Sequence, residues 1–499
     1  MDGPHTRNRD RRLRSRAGAQ ARGLSQSAGK ERVCLIVLGC AKNQVDAERM
    51  AHSLLEAGFR FTPDPRQADV LILSTCSFIQ DAVRESLSTA RQLARYKRDG
   101  SCRSLVVTGC LVQRFGRDLF ERIPEADLFA GLSAADRIGP ILARHLQAGS
   151  PKSMVLRPPS DGKDTQPAPS EQRLVRASWA YVKISEGCSN RCSYCTLPGI
   201  RGPLRSRSKE EILKEVRRLA ESGVVEFNLV AQDVAAYGHD RGGRSSLALV
   251  RLLDGMERID SLRWIRLLYC HPAHVGGELV QAMGRMEKLC PYLDLPIQHA
   301  SDRMLEAMGR PYKRSDLLRL IERLREVRPD IALRTTVMVG FPGETKRDFD
   351  ALLRFLEEVR FHHVGVFCFS PEAGTSAVRF SNRVTREESL KRRKEVFSLQ
   401  GSISRRILSG YVGTAQEILI EVLHAPGRRS LRGRTRYQAP EVDGVVLLSR
   451  VRNLPSIPVV QARIVRARTH DLLGEILPES LAPSEAPRHA QADRPTCRF

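Results

Sequence analysis

At 499 residues and 41% apolar, the chain is long enough for two to four domains with cores of their own, and no run of it approaches the roughly 20 apolar residues of a membrane span. Its formal charge of +24 favours a polyanionic partner such as RNA or a ribonucleoprotein particle, unless the excess is only solvated surface arginine. Twelve dispersed cysteines, six of them in patterns suited to metal ligands, exclude a disulfide-stapled secreted fold and point to a reducing, cytoplasmic compartment.

Residues 1–32 hold nine Lys/Arg against three Asp/Glu and almost no large apolar side chains, so they read as a disordered basic tail without the apolar segment of a secretory signal. Residues 33–148 form the first domain. Strand-like apolar runs at 33–40, 70–76 and 105–110 each end in a cysteine, namely Cys40, Cys76 and Cys110. Between them the apolar residues return with helical period, as in Met50, Leu54 and Leu55 or Val83, Leu87 and Ala90. Strand–helix alternation predicts a parallel α/β sheet, whose crossovers bring all C-terminal strand ends to one edge. Spacings of 36 and 34 residues therefore place Cys40, Cys76 and Cys110 together, as three metal-binding thiolates one ligand short of a closed tetrahedral site. Cys34, inside a strand, and Cys102, in a turn, fall outside that pattern.

Residues 149–172, rich in Pro, Ser and charge, read as an interdomain linker. From 173 to 405 repeated strand–helix units follow, with strands expected at 180–185, 224–231, 263–269, 293–297, 331–339 and 363–369. Between the first two lies an amphipathic helix with Ile212, Leu213, Val216, Leu219 and Ala220 on one face. Six units predict a (β/α) barrel, open or closed, with its chemistry at the strand C-termini. The first strand runs into residues 187–195, where Cys188, Cys192 and Cys195 make a C-x3-C-x2-C triplet on one short loop. Three thiolates suit iron or zinc. No fourth ligand follows in Thr196, Leu197, Pro198 and Gly199, so an iron–sulfur cubane with one open iron is preferred to a zinc loop with a distant fourth ligand. Later strand ends carry Gln232 and Asp233, Cys270 and His271, Gln298 and His299, and the glycines 340 and 343 before Glu344. Cys270, Cys290 and Cys368 lack ligand-like spacing and read as structural.

Residues 411–477 show short β-rich runs at 415–423, 445–448 and 459–466, separated by turn residues, the pattern of a small antiparallel β-barrel. This segment carries ten Arg against six Asp/Glu. Residues 478–499 are rich in Pro, Ala and Ser and read as a second disordered tail, in which Cys497 is incidental.

The succession of three strand-end cysteines, a triplet-bearing barrel and a small β-barrel resembles the radical S-adenosylmethionine (SAM) methylthiotransferase family over about residues 33–477. The resemblance is carried by residues 38–43, 75–79 and 109–114 in the first domain, by residues 187–195 with 201–207 in the second, and by a last domain similar to TRAM domains. Residues 232–238, 295–303 and 439–444 look like the branch that modifies an aspartate of a small-subunit ribosomal protein, uS12. The tRNA-adenosine branch typically has Asn where Asp233 stands, and Ser74 departs from the usual Asn before Thr75.

The resemblance implies two [4Fe–4S] clusters. Cys188, Cys192 and Cys195 would hold the catalytic one, which cleaves SAM to a radical able to attack an unactivated carbon; Cys40, Cys76 and Cys110 would hold the second, which carries the sulfur. Tyr194, Gln232, Gln298 and Glu344 are expected to position SAM. The implied partners are uS12 or the small ribosomal subunit, an electron donor and, through the TRAM domain, RNA; no membrane is involved. The tRNA enzyme stays open as an alternative, and a non-catalytic iron–sulfur or zinc protein that binds RNA stays open as a reading of another class.

Overall fold

The computed structural model describes residues 31–149, 152–156, 177–243, 245–421, 431–449 and 458–478. The basic tail up to residue 30, most of the expected linker and the tail from residue 479 lie outside the described residues. The chain divides into two compact units, Met1–Ser404 and Arg405–Phe499. No helix among the described residues is long and apolar enough to cross a membrane.

The first unit begins with six strands, β1 (Arg32–Val37), β2 (Arg60–Phe61), β3 (Val70–Thr75), β4 (Ser104–Gly109), β5 (Leu128–Ala130) and β6 (Ser153–Val155). They form one sheet in the order β2-β1-β3-β4-β5-β6, with every pairing parallel. Such a sheet is covered on both faces, which is why β3 and β4 are buried along their whole length. The two-residue side-chain period sends Cys34, Ile36, Leu71, Leu73, Leu105 and Val107 to one core and Val33, Leu35, Val70, Ile72 and Val106 to the other. Helix Gln80–Ala94 covers the first face, and helices Ala41–Glu56 and Ile138–Ala148 cover the second.

Two details differ from expectation. Residues 153–155, read as linker, are the edge strand β6, paired to Leu128, Phe129 and Ala130. Three residues are too short a run to show a period, and only pairing to β5 makes them a strand. Arg32, assigned to the tail, opens β1, anchored by its backbone N–H donating to Asp69 at 2.8 Å.

Then come β7 (Trp179–Lys183), the short strands β8 (Ser185–Glu186) and β9 (Arg205–Ser206), and β10 (Glu226–Val230), β11 (Trp264–Leu267), β12 (Leu289–Asp294), β13 (Ala332–Val339) and β14 (His363–Cys368). The large strands form a parallel sheet in the order β14-β13-β12-β11-β10-β7, open at both ends rather than a closed barrel. Helices between the strands bury their apolar stripes on it, and Ile212, Leu213, Val216, Leu219 and Ala220 are all buried there. One strand lies earlier than its apolar run suggests: β12 is 289–294 and not 293–297, because Leu289 and Leu293 pair with Ile265 and Leu267, leaving 295–299 as the loop that follows. β8 and β9 pair antiparallel beneath the triplet loop.

In the second unit, β15 (Ala415–Ile420), β16 (Leu431–Arg434), β17 (Val446–Ser449), β18 (Val459–Ala467) and β19 (Leu472–Ile476) close a barrel in the order β15-β16-β17-β19-β18. It departs from a purely antiparallel barrel at one seam, where β17 and β19 run parallel. Ile418, Ile420, Val446, Leu448, Val460, Ala462 and Ile464 fill its interior.

Candidate active site

The triplet loop is set by backbone geometry. Gly187 has φ +77°, and a Cβ there would stand 2.0 Å from the Pro203 carbonyl oxygen, so only glycine allows the loop to lie against residues 202–203. Cys188 N–H donates to the Gly202 carbonyl at 3.0 Å. The middle of the loop docks on the helix after β12: Ser193 Oγ donates to the Ala307 carbonyl at 2.8 Å, and Ser193 N–H to the Met308 carbonyl at 3.0 Å. Tyr194 is buried among Met304, Met308, Phe341 and Ala377, and its hydroxyl accepts from Arg310 Nη2 at 2.8 Å. Burial, reinforced by the neighbouring Asp233 and thiols, pushes Cys188 up to about 11 and Cys195 up to about 12.

The second trio lies at the ends of β1, β3 and β4, which are adjacent in the first sheet. Gly39, at φ +99°, leaves room for Cys76, whose Cβ would stand 2.8 Å from a side chain at that position. Asn43, one turn into helix Ala41–Glu56, lies between two of the thiols, with Oδ1 3.8 Å from Cys40 Sγ and 3.9 Å from Cys110 Sγ. Its Nδ2 donates to the Leu38 and Thr75 carbonyls at 2.8 and 2.9 Å, tying the ends of β1 and β3 together. Burial pushes Cys110 up to about 12 and also raises Cys76. Cys40 is opposed by the same burial, but Lys42 and Arg201 outweigh it and hold that thiol below its usual range.

A buried ionic network joins the two sites. Arg201, six residues beyond Cys195, donates from Nη2 to Cys110 Sγ at 3.3 Å, Asn43 Oδ1 at 2.9 Å and Asp46 Oδ2 at 3.1 Å, and from Nη1 to Glu186 Oε1 at 2.9 Å. Lys183 donates to Asp46 and, at 2.6 Å, to Glu186 Oε2. Against its burial, Arg201 and Lys183 keep Glu186 ionised far below the usual carboxylate range. Arg201 therefore touches a cysteine of the second trio while pairing with the carboxylate that precedes the first.

The spacing of the sulfurs can be compared with what each metal group needs. Four-coordinate zinc with bonds of about 2.3 Å holds its sulfurs roughly 3.8 Å apart. Among the described residues, only Asp233, His271 and His274 bring three ligand atoms within 4.8 Å of one another. Each cysteine trio thus contains at least one wider pair, which suits a cubane whose cysteines bind different irons.

The remaining expected residues occupy the barrel-sheet mouth in different ways. Gln232 Nε2 donates to Glu186 Oε1 at 3.0 Å, and its Oε1 is buried without a partner among the described residues. Gln298 sits at φ 68°, with its backbone bonded to Thr336 and Met338. Glu344 turns back on its own loop, accepting from Gly340 and Phe341 N–H and pairing with Arg392 at 3.4 Å. Asp233, expected at a strand end and marking one branch of the family, is 2% exposed and already engaged: it accepts from Asn190 Nδ2 at 2.9 Å and His271 N–H at 3.2 Å, and sits 2.7 Å from His274 Nδ1. Burial makes a lone carboxylate costly, so it ties the triplet loop to the histidines instead. Sequence reasoning missed Asn43, Asp46, Lys183, Glu186 and Arg310 as site residues. The one available signal was the helical spacing of Asn43 and Asp46 behind Cys40.

Comparison with known proteins agrees with this arrangement. Residues 32–131 match the family described as Uncharacterized protein family UPF0004, residues 182–356 the Radical SAM superfamily, and residues 412–477 the TRAM domain. A protein of Syntrophobacter fumaroxidans named ribosomal protein uS12 methylthiotransferase RimO is 44% identical over 89% of this chain and 98% of its own length. One of the same name from Geobacter sulfurreducens is 41% identical over 90% of this chain and all of its own. Among solved structures, the radical SAM methyltransferase TsrM from Kitasatospora setae, with cobalamin and a [4Fe–4S] cluster bound, shares the fold at a TM-score of 0.51 and 16% identity, over 80% of each chain. With whole-length identity at that level, the chain belongs to the radical SAM methylthiotransferase family, alongside the RimO proteins.

Proposed function

We propose that the protein adds a methylthio group to the β-carbon of an aspartate in ribosomal protein uS12. The observation that carries the reading is the pair of three-cysteine sites held in one compact unit and bridged by Arg201. The names of the relatives supply uS12 as the target. With family membership come SAM and an iron–sulfur cluster; two clusters are our reading of the two trios. Cys188, Cys192 and Cys195 would hold a cluster able to supply the electron that cleaves SAM, and Cys40, Cys76 and Cys110 would hold one able to carry the sulfur.

The residues of the chain prepare that chemistry. Burial raises the thiols of Cys76, Cys110, Cys188 and Cys195, so loading requires loss of their protons to a strongly cationic centre. Arg201 and Lys183 hold carboxylates between the sites as fixed countercharges. Tyr194 and Gln232 lie beside the triplet and at the end of β10, where they can pack against or hydrogen-bond SAM. Gln298 lies at the same strand-end edge, and Glu344 shapes the 340–344 loop there. An electron donor, RNA contact through the small barrel and a cytoplasmic location complete the proposal.

The decisive experiment measures the intact mass of uS12 with and without the gene. An increase of about 46 Da that depends on the gene, a methylthio group in place of hydrogen, is expected, with tRNA nucleosides unchanged. Loss of a methylthio-adenosine with an unaltered uS12 would overturn the substrate.

A further inference from the structure

We propose that Lys42 recognises the carboxylate of the substrate, so that an aspartate is accepted at the reacting position and an uncharged residue is not. This rests on the uS12 reading above and names the group that would make its specificity. Lys42 is the second residue of helix Ala41–Glu56, two positions after Cys40, and is only 7% exposed. Its ammonium lies 3.4 Å from the centroid of the Tyr269 ring, at the end of β11 in the other sheet. Among the described residues no hydrogen-bond or salt-bridge partner meets it, although every comparable cation nearby has one. Lys183 has Asp46 and Glu186; Arg201 has Asp46 and Glu186; Arg334 has Asp294 at 3.2 Å.

The nearest unclaimed carboxylate would be Asp294, but both of its oxygens are taken. Oδ1 accepts from Arg334 Nη1 at 3.2 Å, and Oδ2 accepts from the Tyr269 N–H at 3.0 Å. A buried ammonium without an anion is costly, and an aromatic face compensates only part of that. Tyr269 is itself held at φ 61°, a left-handed conformation that a bulky residue rarely adopts. The Cys40 thiol attracts this cation, but no hydrogen bond joins the two among the described residues, so the donors of the ammonium stay free for a second anion. Lys42 instead bridges from the Cys40 end of the first sheet to the strand ends of the second, where a carbon to be joined to sulfur has to lie. An entering carboxylate would complete the pair, and Tyr269 would flank it.

The test uses the full-length, iron-reconstituted protein and two synthetic peptides copied from the uS12 segment that holds the modified residue, one with aspartate at that position and one with asparagine. Binding is read by fluorescence anisotropy and iron by direct assay. The wild type should favour the aspartate peptide by about tenfold or more, the scale of a charge-assisted hydrogen bond. Lys42→Met should retain its iron and lose that preference, through weaker binding of the aspartate peptide; Lys42→Arg, which keeps the charge, should preserve most of it. A Lys42→Met protein that still prefers aspartate overturns this inference alone. So does one that loses iron while Lys42→Arg keeps it, since the lysine then serves the thiolates. Wild type that binds neither peptide overturns the uS12 reading and this inference with it.

Discussion

Arg201 holds two kinds of partner at once, the buried thiol of Cys110 and the carboxylates of buried Asp46 and partly buried Glu186. Replacing it by Met leaves both carboxylates short of a countercharge, at a cost of about 3–5 kcal/mol to the unit that contains them. A cation bonded to a ligating sulfur favours the more negative, reduced state of a cluster. The Arg201→Met protein should therefore show a lower potential at one of the two clusters proposed above, by on the order of 60 mV, a tenfold step for a one-electron couple. Redox titration followed by electron paramagnetic resonance measures it, and an unchanged potential would separate Arg201 from the second cluster. His271 offers a pH test. Burial, with Arg310 beside it, lowers its pKa from the ordinary 6.5 to about 3. Between those values the unfolded chain binds a proton that the folded chain refuses, so stability falls as the pH drops from about 6.5 toward 3, by up to about 1.4 kcal/mol per unit. The melting temperature across that window should fall less steeply in His271→Asn than in the wild type.

At the scale of elements, the ribbon of β8 and β9 sets the triplet loop. Its pairing of Ser185 with Ser206 and Glu186 with Arg205 brings residues 202–203 against Gly187. A methyl group at Gly187 meets a backbone oxygen at 2.0 Å in a left-handed conformation, so neither a rotamer change nor a small shift relieves it. Gly187→Ala should therefore lose the iron of the first cluster and keep that of the second, giving about four irons per chain in place of eight. Loss of all iron would mean that the two sites form as one. Helix Lys346–Val359 starts with a capping box, in which Thr345 and Asp348 satisfy each other's backbone N–H groups. Asp348 also accepts from Ser301 Oγ at 2.6 Å, so this cap secures the loop after β12 that carries Gln298. Thr345→Ala should cost about 1 kcal/mol, read as a lower denaturation midpoint with iron content retained.

Across the first unit, the two sheets are joined by buried polar contacts as well as by packing. Glu372, 1% exposed, accepts from Gln80 N–H at 2.7 Å and from Arg114 Nη2 at 2.8 Å, while Arg114 Nη1 holds the Ser77 carbonyl at 2.6 Å beside Cys76. Glu372→Ala leaves the largely buried Arg114 guanidinium with the Ser77 carbonyl but no countercharge, at about 3 kcal/mol. It should weaken magnetic coupling between the clusters before it lowers total iron, and electron paramagnetic resonance of the reduced protein would register the change. Much of this was legible in the residues themselves. Cysteine spacing, a two-residue period in apolar strands and a 3.6-residue period in the intervening helices are local signals, and they determined the parallel sheets, the two trios and the small barrel. Residues 153–155 were not legible, because three residues carry no period and become a strand only through their partner. The place of β12 was hidden in a longer apolar run, and pairing with β11 selected its register. Above all, Arg201, Glu186, Asp46 and Lys42 look like ordinary surface charges in a basic chain. Only the tertiary structure removes them from water, and once they are dry the presence or absence of a partner decides which of them braces the fold and which still awaits an anion.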